Sequence, residues 1–453
     1  MGIFDLFGGK KNAEEEAVKA AELEQKQKEQ AVEEQKKAHE GMEWPKLPKL
    51  NPVNVEKVEP ITIEDELSDE RKNELGEMVF EAEINAESIR FLSMQEILFL
   101  LTTMEQFNKK APLTNYEANH RKLYNEVLNR VRDAKVLYVL YDGTTGYPFI
   151  DHGYINIYLE KEKSEKAAQL FAQQYRKLIV RECPVENEAQ DAADRRGFFD
   201  YLYYLGIEHI IIDNGYYRAH FKRNEIVAAP GDWGGDNKKQ PPVNPGLSFA
   251  MLDFLEEVRW PVNYEKRKEV LRAKEMRMAA MAQASKFIVP MQHQGPAEVT
   301  EDGKMKLGSD VKLRFPLIKT ANEKNFLPVF TDGIEFSKKF KGSEWEGGVF
   351  TFFDILRFLA DKDGIVINPF GQNIIMPKDR MQALAAAAAA AAAAKKARAG
   401  KKPAAKVVPI NPQVAEENHQ MTDTIDQTPG TDDIDIPDMD EAPIVETPDK
   451  TEE

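Results

Sequence analysis

Residues able to do chemistry are few in this chain, and the most suggestive follow two short aliphatic runs. Asp213 and Asn214 come after Ile210-Ile211-Ile212, and Asn368 comes after Ile365-Val366-Ile367. Ligands of open α/β sheets sit beyond the carboxyl ends of strands, where a carboxylate and two amides could orient a polar group or move a proton. Asparagine also forms turns, and Gly215 and Pro369 come next, so residue type favours a structural role. Asp151-His152 is a possible acid–base pair, but its counterpart further along is Thr331-Asp332, and helix capping is expected instead. Tyr201, Tyr203 and Tyr204, with Tyr216, Tyr217 and Phe370 beside the two turns, are the aromatic residues that could form a ligand or partner surface.

Other chemistries find little support. None of the seven histidines pairs at the i, i+4 spacing of a helical zinc site, and the single cysteine, Cys183, cannot build a thiolate cluster. No phosphate-binding P-loop, dinucleotide fingerprint or nucleophile elbow occurs. Gly231-Asp-Trp-Gly-Gly235 lies among Asn and Pro and reads as a loop. Cys183 ends a predicted strand before Pro184 and reads as a buried thiol. No catalytic residue, metal or cofactor is therefore expected.

The elements that must position these residues occur twice. Gly197-Phe-Phe-Asp-Tyr-Leu-Tyr-Tyr-Leu205 and Thr351-Phe-Phe-Asp-Ile-Leu-Arg-Phe-Leu359 align without a gap, which carries Ile211 onto Ile365 and Asn214 onto Asn368. Each stretch reads as a capped amphipathic helix, a loop, a buried strand and a turn. Upstream, Ser93 and Glu96 have capping-box spacing before Ile97, Leu100, Leu101 and Met104, a helical apolar face. A second helix is predicted over 116–134, then strands over 136–141 and 147–150. The later half follows the same order. Ser248 to Ala284 reads as helix broken at Pro261, with strands predicted at 286–290, 313–318 and 325–330. Asp332 and Glu335 have capping-box spacing for a short helix. The run Leu178 to Cys183 reads as a strand added to the first copy alone. The fold class is thus α/β: two related α/β domains in tandem, with mixed sheets flanked by helices.

The remaining segments are polar. Residues 1–11 form a short amphipathic start able to give at most weak membrane-surface contact. A polar helical arm spans 12–41 and reads as solvated; a Pro-rich linker spans 42–68. The domains are predicted at 69–230 and 248–381, separated by a Gly/Pro linker at 231–247. An Ala/Lys-rich linker at 382–410 precedes an acidic tail at 411–453, expected to be disordered, with fourteen Asp or Glu against Lys450. That tail accounts for most of the formal charge of −16, and the acidic balance argues against nucleic-acid binding. One cysteine and no run near membrane-spanning length predict a cytoplasmic protein.

Leu327-Pro-Val-Phe-Thr-Asp332, Thr351-Phe-Phe-Asp-Ile-Leu-Arg-Phe-Leu359 and Gly364-Ile-Val-Ile-Asn-Pro369 together resemble the SseB N-terminal domain of bacterial proteins, over about Lys286 to Met381 with the helix before it. The first copy resembles a diverged relative, keeping Pro148 but carrying Gly215 after Asn214. The resemblance implies an α/β fold in a bacterial cytoplasmic protein and a family name taken from serine sensitivity. It carries over no catalytic residue. Two functions follow as expectations: a non-enzymatic tandem module binding a protein partner or small effector, or an enzyme with a site between the strand-end loops of the two domains. A deep polar pocket at that junction favours the enzyme; a flat or tyrosine-rich surface favours the binding module.

Overall fold

The computed structural model describes residues 23, 25–27, 29–48, 63–186, 197–229, 241–295, 297–299, 305–307, 312–359 and 361–399. The start at 1–11 and the acidic tail at 411–453 lie outside the described residues, as do the expectations placed on them.

A helix that includes 29–38 (α1) is followed by α2 (Asp69–Val79), α3 (Ala86–Arg90), α4 (Met94–Lys110) and α5 (Tyr116–Asp133). The α4 cap closes as its spacing requires: Ser93 Oγ accepts the Glu96 amide at 3.2 Å, and Glu96 Oε2 accepts the Ser93 amide at 2.6 Å. Ile97, Leu100, Leu101 and Met104 are all buried below. Next come β1 (Val136–Asp142), β2 (Ile150–Asp151), β3 (Tyr154–Tyr158), α6 (Lys161–Ala172), β4 (Leu178–Pro184), α7 (Phe198–Tyr204), β5 (His209–Ile212) and β6 (Ala219–Lys222). They form one mixed sheet in the order β4-β1-β3-β5-β6, with β2 paired to β3 and only the β3–β5 pair parallel.

The second unit begins with α8 (Pro245–Arg259), which stops before Pro261, and α9 (Arg267–Ala284). Its strands are β7 (Lys286–Gln294), a small ladder of β8 (Ala297–Val299) with β9 (Met305–Leu307), β10 (Lys312–Arg314), β11 (Ile318–Lys319) and β12 (Asn325–Val329). The strand expected at 313–318 is thus split between β10 and β11. The unit closes with α10 (Gly333–Phe340), β13 (Glu346–Thr351), α11 (Phe352–Phe358), β14 (Gly364–Ile367), β15 (Ile374–Pro377) and α12 (Lys378–Ala399).

The two units share a strand order. In the second, β13 pairs antiparallel with β7, β7 meets β12 through an antiparallel Ile288–Phe330 bridge, β12 is parallel to β14, and β14 is antiparallel to β15. This ordering, β13-β7-β12-β14-β15, repeats β4-β1-β3-β5-β6 pair for pair in direction. Two expectations change. The strand at Leu178–Pro184 is no addition, because β13 holds the same edge place in the second unit. The aliphatic strands also correspond one residue away from the ungapped alignment. The twin helices start at 198 and 352 but β5 and β14 start at 209 and 364, so the second helix–strand loop is one residue longer. Asp213, not Asn214, is therefore the counterpart of Asn368.

The twin helices also differ at their caps for a steric reason. Thr351 Oγ1 accepts the Asp354 amide at 3.2 Å, whereas a Cβ at Gly197 would come within 2.1 Å of the Val185 carbonyl oxygen. Glycine is required there, and Asp200 still accepts the Gly197 amide at 3.4 Å.

The polar arm is not solvated along its whole length. His39 is 4% exposed, stacks on Phe107 and bonds the carbonyls of Phe107 and Ala111. Trp44 stacks on the same ring and donates to Asn73 Oδ1 at 2.8 Å. Residues 39–47 thus run as a strap across α2 and α4, although the Pro-rich stretch read as a free linker.

The units meet through the hairpin at 142–151 and α8. The Ile150 amide donates to the Glu256 carboxylate at 3.0 Å, Arg259 donates to the Thr144 carbonyl at 2.6 Å, and Trp260 Nε1 donates to the Gln174 carbonyl at 2.7 Å. The Arg176 guanidinium lies 3.8 Å from the Trp260 ring centre, a cation–π contact. Burial pushes the Glu256 carboxyl well above the usual carboxylate range.

Candidate functional site

Parallel strands β3 and β5 end together, and the turn after β5 gathers the first unit's candidate residues. Asp213 adopts φ +55°, a left-handed conformation that Asp and Asn tolerate better than most residues, and its amide bonds the Ile157 carbonyl at 3.0 Å. Its carboxylate is buried. Gln95, from the first turn of α4, donates to Asp213 Oδ2 at 2.8 Å and to the Tyr217 carbonyl at 3.1 Å, and accepts the Tyr217 amide at 3.1 Å. Asp213 Oδ1 has no hydrogen-bond partner among the described residues. Burial raises the Asp213 carboxyl, with Lys163 and the Gln95 bond opposing, and the balance is pushed up to about 7.

Lys163, the third residue of α6, is 4% exposed and pairs with Glu160 at 2.7 Å and with Glu66 at 3.1 Å. Its ammonium also sits 5.7 Å from the centre of the Tyr216 ring. The Tyr217 hydroxyl donates to Asp65 Oδ2 at 2.7 Å and lies 2.9 Å from the Pro45 carbonyl oxygen. Residues from the strap and from 63–67 therefore cover this strand end. Asn214 is committed locally: its amide nitrogen donates to Asn156 Oδ1, its side-chain oxygen accepts from Arg218, and its carbonyl accepts from Tyr158.

The second strand end is laid out alike. Asn368 has φ +48° and bonds the Val329 carbonyl through its amide at 2.9 Å. Its side chain closes a buried network, accepting the Thr331 amide at 2.9 Å and donating to Thr331 Oγ1 and Gln372 Oε1 at 2.8 Å each. Asp332 caps α10 by accepting the Ile334 and Glu335 amides. Glu335 holds the helix position that Lys163 holds in the first unit, and pairs with Lys338 at 2.7 Å. Tyr147, from the first unit's hairpin, places its hydroxyl here. A Cβ on Gly371 would come 2.6 Å from Tyr147 Oη and 2.5 Å from Glu335 Oε2. Burial raises the Glu335 carboxyl, with Lys338 opposing, and the neighbouring Glu335 adds to the burial that raises the Tyr147 hydroxyl.

Of the residues expected at a ligand or partner surface, Asp213, Asn214, Tyr216 and Tyr217 converge at one strand end and Asn368 lies at the other. Tyr216 and Tyr217 are 4% and 1% exposed, so neither presents a surface to an outside partner. Phe370 is exposed. Asp151 and His152 pair at 2.7 Å, but they form the β2–β3 turn, with positive φ at His152 and Gly153, and cap no helix. Cys183 is buried as expected, and burial raises its thiol. Gln95, Lys163 and Tyr147 were not marked by their local sequence, and Glu335 was marked only by its capping-box spacing from Asp332. Lys163 sits in a run of charges that reads as a solvated face, and its burial depends on long-range contact.

Two open grooves lie on the first unit, the first of them along the outer side of the strand-end cover. One, of about 590 Å³, follows the strap seam past Trp44, Asp65 and Lys72; the other, of about 630 Å³, is lined by Arg90, Glu126 and Arg130. Among the described residues no cluster of three or more His, Cys, Asp or Glu side chains could hold a metal ion, and no helix is long and apolar enough to cross a membrane.

The fold and its strand ends define a protein of two mixed α/β units in series. Residues 267–383, from α9 into the start of α12, match the family model of the SseB protein N-terminal domain. The preceding helix α8 lies outside the match, although Leu247, Met251 and Phe254 belong to the same buried core. No curated protein and no solved structure matches the chain.

Proposed function

We propose that this is a non-enzymatic binding or adaptor protein of the bacterial cytoplasm, built from two SseB-like modules of common origin. The duplication is supported by the repeated strand order and by the paired left-handed turns at Asp213 and Asn368. The observation that carries the functional reading is that each strand end is filled from within the chain. Asp65, Glu66 and Pro45 cover the first, and the Tyr147 hydroxyl covers the second. A catalytic crevice needs room for a substrate beside its acid or base. The partner surface then lies away from the strand ends.

The full chain and the two-unit core, each immobilised and exposed to bacterial lysate, distinguish the readings. A defined protein retained by both, with no small molecule recovered after denaturing the core, supports the binding module. A metabolite released from the core alone supports the alternative, an enzyme or small-effector regulator acting at the strand-end loops. One feature favours that alternative: burial pushes the Asp213 carboxyl up to about 7.

A further inference from the structure

We propose that Asp213 is the proton-binding part of a latch that holds segment 63–67 against the carboxyl end of the first sheet, seated when Asp213 is neutral and loosened when it ionises. The geometry is specific. Segment 63–67 contributes two carboxylates to this end, Asp65 on the Tyr217 hydroxyl and Lys72, and Glu66 on Lys163. Lys163 is the cation shared between the segment and the sheet, and it is enclosed. Asp213 is buried at the same strand end, with one carboxylate oxygen on Gln95 and the other free of hydrogen bonds among the described residues. A neutral Asp213 leaves Lys163 to Glu66 and Glu160; an ionised one adds a third carboxylate to a single ammonium.

The groups facing this centre come from every packed element. They are Asp65 and Glu66 on the segment, Asp69 and Lys72 on α2, Tyr158 on β3, Glu160 and Lys163 at the start of α6, and Tyr216, Tyr217 and Arg218 on the turn after β5. The like charges of Glu160 and Glu66 act with burial to hold the Asp213 proton, and Lys163 opposes them. Releasing the segment admits water to Lys163 and lets Asp213 return towards its ordinary acidity. The seated state therefore binds the proton more tightly, and seating weakens as pH rises towards about 7 and levels off above it. The informative window runs from about pH 5.5 to 8, on either side of that value.

Amide hydrogen exchange of residues 63–67 in the full chain, corrected for intrinsic rate, reads the latch across that window. Wild-type protection is expected to fall about tenfold from pH 5.5 to 8, the size of a one-unit difference in proton affinity. In Asp213→Asn it is expected to stay flat. Glu66→Gln removes the like-charged group from Lys163 while leaving Asp213 and its Gln95 bond in place, and is expected to shallow the slope. A wild-type profile without slope overturns the latch, as does an unchanged slope in Asp213→Asn. Should Asp213→Asn not fold, an unchanged slope in Glu66→Gln overturns it equally.

Discussion

At the end of β5, Asp213 turns through φ +55°, and Lys163 lies on the helix that follows β3; at the end of β14, Asn368 turns through +48°, and Glu335 lies on the helix that follows β12. Backbone and hydrogen-bond register agree, while the helix residue changes sign from Lys163 to Glu335 and the turn residue from a carboxyl to an amide. The left-handed turn asks for Asp or Asn, and both units comply. What lies on top decides the rest. An acidic segment covers the first end and finds a lysine, whereas a tyrosine hydroxyl covers the second and finds a carboxyl group. Related modules can thus keep one frame while each adapts its strand end to a different piece of the same chain.

Replacing the turn residues tests the frame most severely. Asn368→Ala forces alanine into a left-handed turn and strips the buried network of Thr331 and Gln372, a loss of about 3 kcal/mol. Asn214→Ala, at a position without positive φ, is expected to cost about half as much. Urea unfolding of the two variants compares them directly. Equal losses would favour the ungapped alignment over the one-residue shift seen between the strands.

The cover over the second unit is sharpened by Gly371. Its alanine variant must push aside Tyr147 and Glu335, and overpacking of this kind costs about 2 kcal/mol. Thermal unfolding with no shift would show that the hairpin yields freely and is no fixed cover. The smallest effect concerns the twin helices. Thr351→Ala removes a cap worth about 1 kcal/mol, and Thr351→Gly, which recreates the first unit's choice, only a few tenths. Calorimetry that ranks glycine below alanine would contradict the equivalence of the two caps.

Much of this frame is legible in the sequence because it is local. Ser93 with Glu96, Thr351 with Asp354, and the aliphatic triplets each announce an element through spacing alone. The one-residue shift is hidden because the helices align without a gap and the extra residue falls in a loop without pattern. The equivalence of β4 and β13 is hidden too, since Leu178-Ile-Val is unmistakably strand-like whereas Glu346-Gly-Gly is not. Strand ends are harder still. Their covers, Tyr147 and residues 45 and 65–66, come from distant positions, and the docking of the polar arm rests on one histidine and one tryptophan meeting Phe107. The burial of Tyr216 and Tyr217 follows from those same contacts.

The claim that the strand ends are closed from within is tested most directly by a double-mutant cycle on Tyr147→Phe and Glu335→Gln in the full chain, read by urea unfolding at neutral pH. A coupling of about 1 kcal/mol between hydroxyl and carboxyl is the predicted result. Strictly additive losses would contradict it, leaving the second strand end open to a ligand from outside.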